Sequence, residues 1–273
     1  MTGLRILITN DDGVEAPGID ALTRALSALP ATDLMVVAPS SNQTGASGTI
    51  TTSAFDVLSA ATASGYPATA VVGSPSDAVL FALRSLLTAP PALVVAGINE
   101  GPNLADFVTM SGTVAAALSA ARLGVPALAV SLGLAARMDY DAAARFAASL
   151  VTRYRDDARF RASMMLDGSR RVGLVLNVNV PASAPRGVRV VPLGRIAEVT
   201  GYVRQAESGS RVTYEPVVVM EDITRVHHGS TLTLPATDLE AFVHGFVAVT
   251  PLVSDLTLAA ALGDFRFVEG LEP

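Results

Sequence analysis

The sequence predicts an α/β fold of the Rossmann-like kind, a mostly parallel sheet with flanking helices. Two observations carry this. Five short runs, "RILIT", "LMVVA", "TAVVG", "ALVVAG" and "ALAVS", are rich in Val, Ile, Leu and Ala and nearly continuous. Strands buried on both faces have that pattern. Between the runs lie segments of helical period, and strand–helix alternation implies parallel strands with helices on both sheet faces. A third observation sets the second half apart: from Arg195 to Met220 the helical period is lost.

Taken in order, helices are expected over Pro17 to Leu29, Pro75 to Leu87, Thr113 to Leu123 and Tyr140 to Tyr154. The second has the clearest start: Ser74 as cap, Pro75 in the first helical position, and Asp77 three residues after the cap. "RVGLVLNVNVP" and "RGVRVVPL" read as further strands. "VTGYVRQAESGSRVTYEPVVVM" reads as two strands joined by the turn Glu207-Ser208-Gly209-Ser210. Pattern alone leaves open whether this hairpin is an arm toward another subunit or folds on its own domain. One domain over 1–273 is expected, with a core to about 194, a C-terminal β-hairpin arm over about 195–220 and a C-terminal segment over about 221–273.

The composition narrows the classes of function. Half of the 273 residues are hydrophobic and only 16% are charged, which is a globular balance and not a disordered one. There is no cysteine, so disulfides and thiolate metal sites are excluded and a reducing compartment is permitted. The net charge is −6, with no run of Lys or Arg, which argues against nucleic-acid duplexes and anionic membranes as partners. The N-terminus lacks a signal-peptide pattern. The longest apolar stretch, "LGVPALAVSLGLAA", is shorter than a span of about 20 residues and contains Pro126. A soluble cytoplasmic protein is expected.

In open parallel sheets, ligands sit beyond the carboxyl ends of the strands. Asn10-Asp11-Asp12-Gly13 follows the first run, and Pro39 to Gly45, "PSSNQTG", the second. "GSPSD" follows the third. "GINEGPN", Gly97 to Asn103, follows the fourth, and Met110-Ser111-Gly112-Thr113 then opens a helix. All but "GSPSD" are rich in oxygen donors. Adjacent carboxylates beside an apolar core repel and lose hydration. Either both are solvated in a turn, or a cation holds them. Two carboxylates with neutral oxygens suit a hard divalent ion, Mg²⁺ or Mn²⁺. Zinc is disfavoured, because His227, His228 and His244 show no zinc spacing. Each piece has a plainer reading: Asp, Asn and Gly are turn residues, and Ser111 or Thr113 is a helix cap. Gly13 and Gly18 have P-loop separation, but Ile19-Asp20 replaces the Lys-Ser/Thr pair. A dinucleotide fingerprint is absent after the first run.

Together these motifs resemble the SurE family of metal-dependent 5′/3′-nucleotidases. "ILITNDDG…APGI", "VVAPSSNQTGAS", "GINEGPN…SGTVAAAL", "LNVNVP" and "TDLEAFVHGFVAVTPL" carry the likeness. It implies one divalent ion held by Asp11, Asp12, Thr44 and Asn99, with Asp11, Asp12 and Asn99 catalytic. It implies phosphate or substrate contacts from Asn10, Gly45, Asn103, Ser111, Gly112 and Thr113. It implies a nucleoside monophosphate as substrate, and a homodimer or homotetramer with an exchanged C-terminal segment. The ion would polarise a phosphoryl oxygen and activate a water, although attack by an Asp stays open. Three departures stand out: Thr44 where relatives usually have Ser, "SSNQT" where they tend to carry charge, and "SPSDAV" where they tend to have Thr-Pro-Ala-Asp-Cys-Val. Another phosphorylated metabolite, or binding at a decayed site, are the alternatives.

Overall fold

The computed structural model describes residues 3–166, 172–195, 199–208, 211–218 and 236–255. The chain runs β1 (Leu4–Thr9), α1 (Pro17–Ser27), β2 (Thr32–Pro39), β3 (Val57–Ala61), β4 (Pro67–Val71), α2 (Pro75–Phe81), a π turn over Ala82–Leu86 and β5 (Leu93–Glu100). A 3₁₀ turn over Ala105–Thr109 leads to α3 (Gly112–Arg122), β6 (Ala127–Leu132) and α4 (Tyr140–Asp156). Then come α5 (Ala158–Ser163), β7 (Met165–Leu166), β8 (Val172–Gly173), β9 (Val175–Val180) and β10 (Val188–Val190). The last elements are β11 (Val199–Ser208), β12 (Arg211–Val218), α6 (Asp238–Val243) and β13 (Val247–Leu252).

One sheet has the order β10-β13-β9-β6-β5-β1-β2-β4-β3. From β9 through β4 all neighbours are parallel, as the buried apolar runs require. β3 and β13 join antiparallel at the flanks. Successive side chains of a strand point to opposite faces. Ile6 and Ile8 of β1 therefore pack with Leu22, Leu26, Val151 and Tyr154 of α1 and α4. Leu7 points the other way and packs with Val114, Ala116 and Ala120 of α3. Burying each such Ile or Leu contributes about 1.5–3 kcal/mol, so both helical layers hold β1 in place. The alanines of α3 are buried and small, which lets that helix lie close to the sheet.

The start of α1 is fixed by a close approach. A Cβ on Gly18 would lie 2.0 Å from the Ile98 carbonyl oxygen. Only glycine lets the first turn of α1 rest on the backbone near the end of β5. The loops after β1 and β5 are thereby drawn together.

The four expected helices are present, although the second ends as α2 at Phe81 and continues as the π turn. Six elements were not anticipated: α5 and the two-residue β7, and four that bear more on the fold. β3 is an edge strand with Val57 and Leu58 exposed, so it lacks the buried-run signature. The turn Ala105–Thr109 and α6 are short, and their apolar residues serve a local cluster of Leu104, Val191 and Leu239. β13 was expected within an exchanged segment, but Val247–Leu252 lies in the chain's own sheet, between β9 and β10. Of that segment, 221–235, with His227 and His228, and 256–273 lie outside the described residues, as does the tip of the hairpin at 209–210.

The hairpin itself is formed, antiparallel, from Val199↔Val218 to Ser208↔Arg211. Tyr202 and Val203 point to opposite faces of the ribbon, and both are exposed, as are Val212 and Tyr214. Among the described residues no helix is long and apolar enough to cross a membrane.

Candidate active site at the switch point of the sheet

From β1 the chain steps to β2 on one side and returns later as β5 on the other. The crevice at such a reversal is where open α/β sheets bind ligands. Asp11 and Asp12 follow β1, and Asn99 lies near the end of β5, beside it.

Asn10 is buried, its Nδ2 donates to the Gly13 carbonyl at 2.8 Å, and its Oδ1 accepts the Gly13 N–H at 3.3 Å. The side chain expected on the phosphate closes the turn that presents the two carboxylates.

Asp11 is only 3% exposed. Its Oδ1 accepts a short hydrogen bond from the Thr113 hydroxyl, and the Thr113 N–H supports it too. A Cβ on Gly112 would lie 2.8 Å from Asp11 Oδ2, so a bare glycine is required where α3 meets the carboxylate. Ser111 caps α3 by accepting the Val114 N–H at 3.1 Å. The Ser111–Thr113 segment, expected on the phosphate, thus gathers on Asp11, and Thr113 directs its donors to the carboxylate.

Burial pushes the Asp11 carboxyl above its usual 3.8, although Thr113 pulls it back in part. Asp12, half-buried, is pushed up to about 6, first by burial and then by the charge of Asp11. The Glu100 N–H counteracts this, while the Glu100 charge adds to it. Among the described residues neither Asp has a Lys or Arg partner. A buried carboxylate pair without a counter-charge is costly, and a cation between them removes the cost.

The second loop docks on this pair. The Gln43 N–H donates to the Asp11 carbonyl at 2.7 Å, and Asn42 Nδ2 reaches Asp12 Oδ1 at 3.4 Å. Asn42 Oδ1 accepts the Thr44 N–H at 2.8 Å. Thr44 is exposed, one residue from the Gln43 contact, and its hydroxyl makes no hydrogen bond to either Asp. Gly45 has φ +80° and open space where a Cβ would stand. Asn99 Nδ2 donates to the Gly101 carbonyl at 2.7 Å, which leaves Oδ1 as its available donor to a cation. The donors that Asp11, Asp12, Asn99 Oδ1 and the Thr44 hydroxyl could offer are all oxygens, the kind that Mg²⁺ or Mn²⁺ takes. Among the described residues no three His, Asp or Glu side chains make a metal cluster.

Asn103 has a different use. Its Nδ2 donates to Ser131 Oγ at 2.9 Å, and its N–H to Asn179 Oδ1 at 2.7 Å. Asn177 and Asn179 both donate to its carbonyl. These two asparagines share one face of β9 and pin the "GPN" loop to the sheet, which explains amides in a buried strand.

Three contributors escaped the sequence reading. Asn42 links the second loop to Asp12. Glu100 accepts the Tyr140 hydroxyl at 2.9 Å, and burial followed by Glu100 pushes the tyrosine's ionisation up. Asp77, read only as part of the start of α2, accepts from Thr51 N–H at 2.9 Å, Thr51 O–H at 2.6 Å and Ser74 N–H at 2.8 Å. It anchors the far end of the loop that carries Thr44. The capping box was visible in sequence, but the reach to Thr51 was not.

A family model described as Survival protein SurE matches residues 6–200. The chain belongs to the SurE family. A 5′-nucleotidase SurE of Symbiobacterium thermophilum is 36% identical over 257 residues, covering 92% of this chain and 93% of the relative. A 5′/3′-nucleotidase SurE of Salmonella newport is 38% identical over 269 residues, covering 94% and 93%. The crystal structure of the SurE protein from Aquifex aeolicus superimposes with a TM-score of 0.77 at 28% identity, covering 97% of this chain and 99% of that one. All four loops of the crevice lie inside the span matched to SurE.

Proposed function

We propose that this chain is a phosphomonoesterase releasing phosphate from nucleoside 5′- and 3′-monophosphates with one divalent ion, Mg²⁺ or Mn²⁺. One observation supports the reading: Asp11 and Asp12 have no Lys or Arg partner among the described residues at the switch point of a SurE-type sheet, with Thr113 turned onto Asp11 and β5, which carries Asn99, beside β1. The nucleotidase names of the relatives supply the substrate class.

Asp11, Asp12, Asn99 and Thr44 would hold the ion, which when bound acts as a Lewis acid on the phosphoryl group. Thr113 fixes the orientation of Asp11. Asp12 is the less buried carboxylate and is suited to orient an attacking water. The Gly112 N–H, at the first position of α3, would be a donor to phosphoryl oxygens as they gain charge. The test is phosphate release across a panel of monophosphates, with and without each metal. Release from none of them, with either ion present, would remove the proposal.

A homodimer or homotetramer is proposed with it. Tyr202, Val203, Val212 and Tyr214 project from the hairpin, and an isolated two-stranded ribbon is marginal in water. A cysteine-free chain also fits the cytoplasmic setting proposed for it.

A further inference from the structure

Between α1 and the head of α4 lies an open cavity of about 630 Å³. One wall is the Pro17–Arg24 face of α1, the other is the head of α4 with Arg137, Met138, Asp139 and Tyr140, and Ala63 lies between them. That volume is ordinary for a small-molecule site. Tyr140 belongs to both places: it lines the cavity, and its hydroxyl donates to Glu100, whose N–H faces Asp12. Tyr140 also feels the charge of Asp12, so the cavity and the carboxylates share this side chain's surroundings.

The groups of the cavity sort into wall and donors. Asp20 is used up by Thr62, Ser64 and Arg24. Arg24 is used up by Asp20 and Asp141, and so braces α1 against α4. Four features are left for a ligand: the flat ring of Tyr140, the Met138 thioether, the second oxygen of Asp139 and the Arg137 guanidinium. Asp139 Oδ1 caps α4 through the Ala142 N–H, which leaves Oδ2. Arg137 is exposed and has no ion pair among the described residues.

Charge selects among ligands. Asp20, Asp139 and Asp141 outnumber Arg24 and Arg137, so a second phosphate would be repelled. A neutral heteroaromatic ring is accepted: it stacks on tyrosine, guanidinium or thioether, and its amino N–H finds a carboxylate oxygen. We infer that this cavity is the subsite for the base of the nucleotide, an assignment that rests on the nucleotidase reading above.

The experiment compares AMP with ribose 5-phosphate, which keeps the phosphate and sugar but lacks the base. Ala63→Trp fills the cavity from an exposed turn, and Arg137→Ala removes its free cation; neither residue belongs to the phosphate site. For AMP, kcat/KM is expected to fall about tenfold in Ala63→Trp, mainly through KM, and several-fold in Arg137→Ala. Ribose 5-phosphate should stay within about twofold of wild type, which also shows that the fold is intact. Equal losses on both substrates, or no loss on AMP, would overturn the subsite while leaving the phosphatase in place. Wild-type release from neither compound would overturn the nucleotidase reading and the subsite with it.

Discussion

Asp11 is the residue on which the site turns, and its surroundings are all accounted for. It is held by Thr113, covered by the bare Gly112, and followed by a second carboxylate that has no cationic partner among the described residues. Thr113→Val keeps the shape and removes the hydroxyl. The hydrogen bond it loses goes to a charged group, a class that contributes about 1.5–3 kcal/mol. Phosphate release should therefore fall about tenfold or more in steady-state kinetics, with circular dichroism unchanged. Unaltered kcat/KM would show that Asp11 needs no such support. At Thr44, Ser should be tolerated and Val severely impaired, because the hydroxyl is the proposed ligand. Equal activity of Thr and Val would exclude residue 44 from the ion's contacts. The sequence showed hydroxyls at the start of α3. It did not show where Thr113 points, because its partner lies 102 positions away.

Among the elements, the loop from Pro39 to Phe55 is the one whose position has to be built. It is tied at one end by Gln43 to Asp11 and at the other by Asp77 to Thr51, with Ser74 Oγ on the Thr49 carbonyl. Burial alone would raise the Asp77 carboxyl, but the bonds from Thr51 and Ser74 outweigh it and hold the pKa below the usual 3.8. A carboxyl with a lowered folded pKa contributes stability that is present above its unfolded value and lost as pH falls through the folded one. Asp77→Asn should thus cost about 2 kcal/mol in denaturant unfolding at pH 7, and progressively less as pH falls below 3.8. A cost that does not shrink in acid would contradict the ionised anchor. Thr51→Val spares the cap of α2 and loosens only the loop, so it should lower activity more than stability. Element by element, the sequence told most where burial is two-sided. β1, β2, β5 and β6 read as continuous apolar runs because helices cover both faces. β3 escaped because an edge strand has an open face, and β13 because its partners β9 and β10 are fixed by tertiary pairing.

At the scale of the molecule, the sheet explains why pieces that are individually ordinary turn and cap residues act together. The order of strands places the loops after β1, β2 and β5 and the start of α3 around one crevice. The same view leaves the hairpin projecting, with Tyr202 and Tyr214 exposed. Replacing Gly201 to Thr213 by a short Gly-Ser turn should lower the oligomeric state. Light scattering decides it: a wild-type mass of one chain at micromolar concentration would rule out the assembly, without bearing on the crevice. The central claim is that Asp11 and Asp12 work through a divalent ion. Its most direct test is phosphate release from AMP by wild type and Asp12→Asn, each with Mg²⁺ or Mn²⁺ and again with excess chelator. The account predicts release by wild type with metal, loss of that release in chelator, and none from Asp12→Asn in either condition. Wild-type turnover that persists undiminished in chelator, or a fully active Asp12→Asn, would contradict it.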